Sequence, residues 1–179
     1  MVAIEKDHYR VTLADASMDE CDALQQICHT WEDKEYLEGS AFEKDYIRQC
    51  LTYGDLPPVP GASIEKYRLK SIRLVTSRQL VGFSDIYLGY PDEQTAWISI
   101  FLIDTKFRKQ GYAREALEQI AHYCAGMGYE SLAIGVHLKN WRALRFWYSA
   151  GFTSIWGISG DKDYANDSFA VIKLGKKIV

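Results

Sequence analysis

Arg108-Lys109-Gln110-Gly111-Tyr112-Ala113 is the stretch whose reading decides the fold. Directly before it runs Ala96-Trp97-Ile98-Ser99-Ile100-Phe101-Leu102-Ile103, apolar enough for a buried strand. Directly after it, Ala113, Ala116, Leu117, Ile120, Cys124 and Met127 recur at helical spacing. A strand ends, a short basic loop turns, and a helix begins at a glycine. The first turn of a helix carries N–H groups without intrahelical partners at the positive end of the peptide dipoles. Gly111 lets a ligand approach the main chain, Ala113 adds little bulk, and Arg108 and Lys109 bring charge. The stretch is predicted to hold an anion, a phosphate ester above all. The plain alternative is a turn whose glycine serves geometry alone. No Gly-Lys-Ser/Thr closes a nucleoside-triphosphate loop, and no Gly-x-Gly-x-x-Gly follows a strand.

Charge distribution favours the anion. Residues 105–145 hold seven Lys/Arg against three acids, a local +4 on a chain of net charge −3. A basic island on an acidic protein fits a small polyanionic ligand and is too narrow for a nucleic-acid footprint. Further on, Gly126-Met127-Gly128 ends the helix and Leu132-Ala133-Ile134-Gly135-Val136 reads as a second buried strand. Asn140 stands at a helix cap ahead of Trp141–Ala150, which Gly151-Phe152 closes. Strand, basic loop, helix, strand, capped helix is a crossover unit with a helix added.

With both segments in place, the chain resembles the GNAT superfamily of N-acetyltransferases. Arg108, Gly111 and Ala113 match its pyrophosphate loop, Arg/Gln-x-x-Gly-x-Gly/Ala; Asn140, Ala143, Phe146, Gly151 and Phe152 match its later Asn-x-x-Ala-x-x-apolar…Gly-Phe motif. The resemblance runs in order over about residues 67–175. It implies an α/β (α+β) fold: a mixed, mostly antiparallel central sheet with a parallel βαβ crossover and flanking helices. It also implies acetyl-coenzyme A as co-substrate, without a metal. The residues it places on that co-substrate are Phe101, Leu102 and Ile103 along the pantetheine arm, Arg108, Lys109, Gln110, Gly111, Tyr112 and Ala113 at the diphosphate, and Asn140 and Trp147 near the thioester. In many relatives a tyrosine thought to protonate the leaving thiolate follows the apolar position of the second motif. Here Trp147 holds that position and Tyr148 comes one residue later, a rotation of about 100° on a helix.

The remaining chain is compatible with one domain over 1–179, with a variable acceptor-side region at 30–66 and a binding core at 96–152. His8–Leu13 reads as a first strand, and Ser17 with Glu20 as a capping box ahead of a helix carrying Cys21, Leu24, Ile27 and Cys28. A second helix is expected near Ser40–Tyr53, then a Pro/Gly-rich surface loop at 54–61. Tyr67–Val75 and Leu80–Leu88 form a hairpin, and Ser168–Leu174 a last strand. No run approaches the roughly 20 apolar residues of a membrane span, and Met1–Asp7 lacks a signal peptide's apolar middle. The four scattered cysteines have no zinc-knuckle spacing, and a cytoplasmic, reduced setting is expected. No nucleic-acid or membrane partner is expected; a homodimer through the C-terminal strand and aromatic-rich surfaces stays open.

For chemistry, a lysine-like amine with a pKa of about 10.4 must lose its proton before it attacks a thioester. Asp85, in an otherwise apolar strand, is the first candidate base, with an Asp on a solvated sheet face as the plain alternative. Tyr148 is the candidate acid, with packing as its alternative. Glu93, Ser99 and His137 read more simply as turn, strand and loop polar groups. Trp31–Asp45 carries six acids and two lysines; a solvated face explains such a run, and a cation-attracting entrance edged by Trp31 and Tyr36 is the functional version. The function expected is acetyl transfer to a primary amine of a small molecule or peptide in a ternary complex. A coenzyme A-binding sensor without turnover, another acyl donor, and a hydroxyl acceptor are the alternatives.

Overall fold

The computed structural model describes residues 9–179. Strand β1 (Val11–Asp15) leads through a 3-10 turn at Met18–Glu20 into helix α1 (Cys21–His29), where Glu20 Oε2 accepts from Ser17 N at 2.8 Å. Then come α2 (Lys34–Glu38), α3 (Tyr46–Tyr53), and the strands β2 (Tyr67–Leu74) and β3 (Leu80–Leu88). Next are β4 (Thr95–Ile98), β5 (Phe101–Ile103), α4 (Tyr112–Gly126) and β6 (Ser131–His137). The chain closes with α5 (Trp141–Ser149), β7 (Ser154–Gly160) and β8 (Ala170–Lys177).

These strands form one sheet in the order β1-β2-β3-β4-β6-β8-β7, with β5 paired to β3 beside that path. Among the described residues only β4 and β6 run parallel; every other pairing is antiparallel. The mixed sheet with one parallel crossover through α4 is the fold expected from sequence.

Side-chain alternation along β3 assigns the two faces. Ile86 and Leu88 join α4 residues Leu117, Ile120 and Cys124, β6 residues Leu132, Ile134 and Val136, and Trp147 and Phe152 in one core. Phe83 and Tyr87 join α1 (Leu24, Ile27, Cys28), α3 (Ile47, Cys50) and Tyr67 in a second core on the opposite face. The sheet is therefore filled from both sides, and all four cysteines are buried free thiols.

Several elements differ from the sequence reading. The strand expected at 96–103 is two strands. The helix expected near 40–53 starts only at Tyr46, because Gln25 occupies its approach: Gln25 Nε2 donates to Glu43 O and its Oε1 accepts from Ile47 N, both at 3.0 Å. Gly39, with φ +85°, ends the separate helix α2. Strand β7 has no counterpart in the sequence reading, since its serines and glycines imitate a loop until β8 pairs with it. The first strand is Val11–Asp15, two residues beyond expectation at its end, and the expected start at His8 lies outside the described residues.

Candidate active site

The break between β4 and β5 creates the site. Tyr87 pairs with Trp97 and Ser84 with Phe101, so two residues of β3 oppose three of the neighbouring strand. That is a one-residue β-bulge. The carboxylate of Asp85, 1% exposed, fills it: Oδ1 accepts from Ser99 N and from Ile100 N, each at 2.8 Å, and Oδ2 accepts from the Tyr67 hydroxyl at 3.3 Å. Burial pushes the Asp85 carboxyl up to about 7, against the pull of those N–H groups. Parallel pairing of β4 with β6 stops at Ile98–Ile134. Beyond it β5 pairs with β3 and Gly135–His137 with β8, so the two strands part and leave a gap. Ile100 O accepts from Asp85 N and Asp104 N donates to Val81 O, so main-chain alternation turns Phe101 and Ile103 away from β3 and toward the gap.

The loop below the gap is built by backbone geometry. Lys109 (φ 61°) and Gly111 (φ 90°) both sit in the left-handed region, which points the chain into α4. Arg108 Nε donates to Ile103 O at 2.9 Å, fixing the loop to the strand. An unforeseen residue, Arg10, completes it: its guanidinium donates to Gln110 O at 2.7 Å, pairs with Glu115, and covers the Tyr112 ring at 4.8 Å. The first-turn acid of α4 is thereby neutralised, and the helix start stays favourable to an anion.

Strand edge, loop and α5 enclose a cleft of about 470 Å³. Of the residues expected on the co-substrate, Phe101, Leu102, Ile103, Arg108, Lys109, Gly111, Tyr112, Ala113, Asn140 and Trp147 line it. Gln110 does not; its side chain turns back to Lys106 O at 3.2 Å and its carbonyl to Arg10. Asn140 caps α5, its side-chain oxygen accepting from Ala143 N at 3.1 Å. Trp147 is buried edge-on against Phe101 at 5.5 Å and Phe152 at 4.9 Å. The expectation for Tyr148 needs correcting: the helix turns it 69% exposed into a separate hollow with Trp141, Leu144 and Ile155, away from the cleft. Asp85 lies behind the bulge and is not part of the cleft wall.

The cleft also takes in Trp31, Phe107, Arg142 and Arg145. The two arginines were visible in sequence only as part of the basic island. Arg142 reaches Asp33 at 2.5 Å, linking α5 to the segment before α2. Trp31 meets Phe42 edge-on, and the buried Lys34 ammonium lies over Phe42 at 4.8 Å while bonding Ser40 O at 2.9 Å. Tyr36, expected beside Trp31, is exposed on the surface. His137 ends β6 half-buried, not in a solvent-facing loop; burial holds it below its ordinary pKa, and its Nδ1 has no partner among the described residues.

An open strand edge thus lies beside a basic loop that leads into α4. Residues 24–152 match the model of the Acetyltransferase (GNAT) family. The chain belongs to this family. It is a GNAT N-acetyltransferase-family enzyme, and the family uses acetyl-coenzyme A. Among solved structures it is similar to an acetyltransferase from Thermus thermophilus, at 24% identity and TM-score 0.66, covering 93% of this chain and 96% of that one. It is also similar to spermidine N-acetyltransferase from Vibrio cholerae in complex with CoA and spermine (13% identity, TM-score 0.70, 94% and 95% covered). The ribosomal-protein-S18-alanine N-acetyltransferase from Escherichia coli gives 15% identity and TM-score 0.68, with 94% of each chain covered. At these identities the likeness concerns the fold. No curated protein matches the chain.

Proposed function

We propose that this GNAT enzyme moves the acetyl group of acetyl-coenzyme A directly onto a primary amine of a small molecule or peptide. One observation carries the reading: a single cleft holds the anion loop at one end and the unpaired strand edge at the other. Arg108 and the amides around Gly111 would take the diphosphate. The main chain of Phe101 and Ile103 would pair with the amides of the pantetheine arm, which delivers the thioester to the gap. Asn140 and Trp147 would border its far end.

The amine nitrogen attacks the carbonyl carbon, forming C–N while the carbonyl electrons move to oxygen. A main-chain N–H at the strand edge stabilises that oxyanion. The oxyanion's electrons re-form C=O as the C–S bond breaks and the thiolate leaves; the ammonium proton lost before attack and the nitrogen's surplus proton after it both pass to water. A thiolate with an intrinsic pKa of about 8.5 is a tolerable leaving group without a dedicated acid. Holding both substrates in one cleft supplies a large share of the acceleration.

A second reading, a coenzyme A sensor without turnover, is favoured by one feature. Trp147 stands where a proton-donating tyrosine is expected, and its indole has no acidic proton to give. Thiol release with acetyl-coenzyme A and a mixed panel of amines separates the two. Turnover on any amine supports transfer, and tight binding without turnover supports the sensor. Other acyl donors and hydroxyl acceptors enter the same assay as further arms. Arg108→Glu should weaken coenzyme A binding about tenfold or more, since hydrogen bonds to charged groups contribute ~1.5–3 kcal/mol.

A second copy of the chain is proposed on the free edge of β7. Among the described residues that strand pairs with β8 on one side only; it carries exposed Ile155, Trp156 and Ile158 and has no charged residue to discourage pairing.

A further inference from the structure

Asp85 is the carboxylate at the bulge that opens the cleft, and the reading above gives it no proton to move. Its surroundings suggest a different task. An extra residue in a strand leaves consecutive N–H groups without ladder partners. Here those groups belong to Ser99 and Ile100, and successive N–H groups aimed at one point form a small anion nest. Asp85 Oδ1 occupies that nest at 2.8 Å from each nitrogen. The second oxygen is taken by the Tyr67 hydroxyl, so neither oxygen is idle. The side chain is 1% exposed and lies behind the strand, outside the cleft. An amine entering the gap therefore meets the main chain before it meets this carboxylate.

We infer that Asp85 is a positioning residue that locks the split strand open, so that the main chain of Phe101 and Ile103 faces the thioester, and that it does not receive the amine proton. The role acts through geometry. Without the carboxylate, Ser99 and Ile100 would lack partners inside the protein. The strand would then gain by rejoining its neighbours, and the gap between β5 and Gly135–His137 would narrow. The ionisable groups around Asp85 are Tyr67 of β2, Tyr46 and Cys50 of α3, and Asp55 of the following loop. Tyr46 donates to Asp55 Oδ2 at 3.2 Å, so this polar cluster continues outward from the bulge.

The inference rests on the acetyltransferase reading for its consequence, but its structural half needs no substrate. Amide hydrogen exchange at Ser99 and Ile100 in the ligand-free protein tests that half. Asp85→Asn keeps an oxygen for both N–H groups and should preserve their protection; Asp85→Ala should speed exchange there about tenfold or more. Unchanged protection in Asp85→Ala overturns the lock while leaving the acetyltransferase reading intact. Coenzyme A affinity, by calorimetry, should stay near wild type in Asp85→Asn and fall at least about tenfold in Asp85→Ala. The pH profile of kcat/KM decides between positioning and proton transfer. Asp85→Asn should keep the profile's basic-amine limb; if kcat drops about a hundredfold with affinity unchanged and that limb disappears, Asp85 is the base and the inference fails. Should Asp85→Ala not fold, exchange and the pH profile of the Asn variant decide between the two roles by themselves.

Discussion

Two neighbours on one helix show how far a single position matters. Trp147 is 7% exposed and walls the cleft, while Tyr148 is 69% exposed and faces elsewhere. The 3.6-residue period makes that separation unavoidable. Tyr148→Phe should therefore leave kcat and KM unchanged in a thiol-release assay; a tenfold loss of kcat would mean that α5 rotates on binding. Asp85 gives a second test at this scale. Its folded pKa, about 7, lies above the ordinary carboxylate value of about 3.9, so the unfolded chain releases that proton first. Its contribution to stability is thus complete below pH ~4 and is lost as the pH rises through ~7. The Tm of wild type relative to Asp85→Asn should fall across that interval, and parallel curves would show that burial does not raise the pKa. Sequence could single out Asp85, because one acid in an apolar strand is conspicuous. It could not show that the partners are the main-chain N–H groups of Ser99 and Ile100, which depends on the register of another strand. Arg10 was hidden for a related reason: it lies about a hundred residues from the loop it braces.

Elements were legible where periodicity and caps agreed. Helix α4 was legible because an apolar face followed a glycine start, and α5 because Asn140 announced its cap. Interruption of the strand at 96–103 was not, since Ser99-Ile100 is as strand-like as its surroundings and the bulge is imposed from β3. The start of α3 is set in the same way by a distant side chain. Gln25, 8% exposed, satisfies Glu43 O and Ile47 N at once. Gln25→Ala leaves the buried Ile47 N without a partner, while Glu43 O keeps its bond from Tyr46 N, and the loss should be about 1–3 kcal/mol by urea unfolding. Because α3 packs Ile47 and Cys50 against the face that carries Asp85, the same variant should loosen that face before the loop at 108–113 and α4. Hydrogen exchange would show faster opening in α3 with α4 unchanged; equal acceleration in both would mean the two faces unfold as one unit.

At the scale of the molecule, the two ends of the sheet are treated differently. Strand β1 at one end has α4 packed beside it through the core that joins Val11 to Ala116. Strand β7 at the other end carries no charge and, among the described residues, has no covering helix, and Ile155 and Ile158 are 65% and 64% exposed. Edge strands of monomers usually carry lysine, proline or a twist that blocks pairing. The bulge at Ile155–Gly157 bends β7 and lays the Trp156 ring over Gly175 of β8, but leaves Ile155 and Ile158 exposed. Two identical edges meet most simply antiparallel about a two-fold axis, which closes the assembly at two. Trp141 and Tyr148, exposed on α5 beside the hollow that includes Ile155, would extend the contact beyond one strand. A stable interface needs about 800 Å² from each partner, more than a single short strand edge supplies, so these aromatics have to take part. The wild type should sediment as a dimer at micromolar concentration. Ile158→Lys should shift it to monomer with coenzyme A affinity retained, because the cleft with the basic loop before α4 does not reach this edge. A monomeric wild type across the accessible concentrations would show instead that the bend in β7 alone protects the edge.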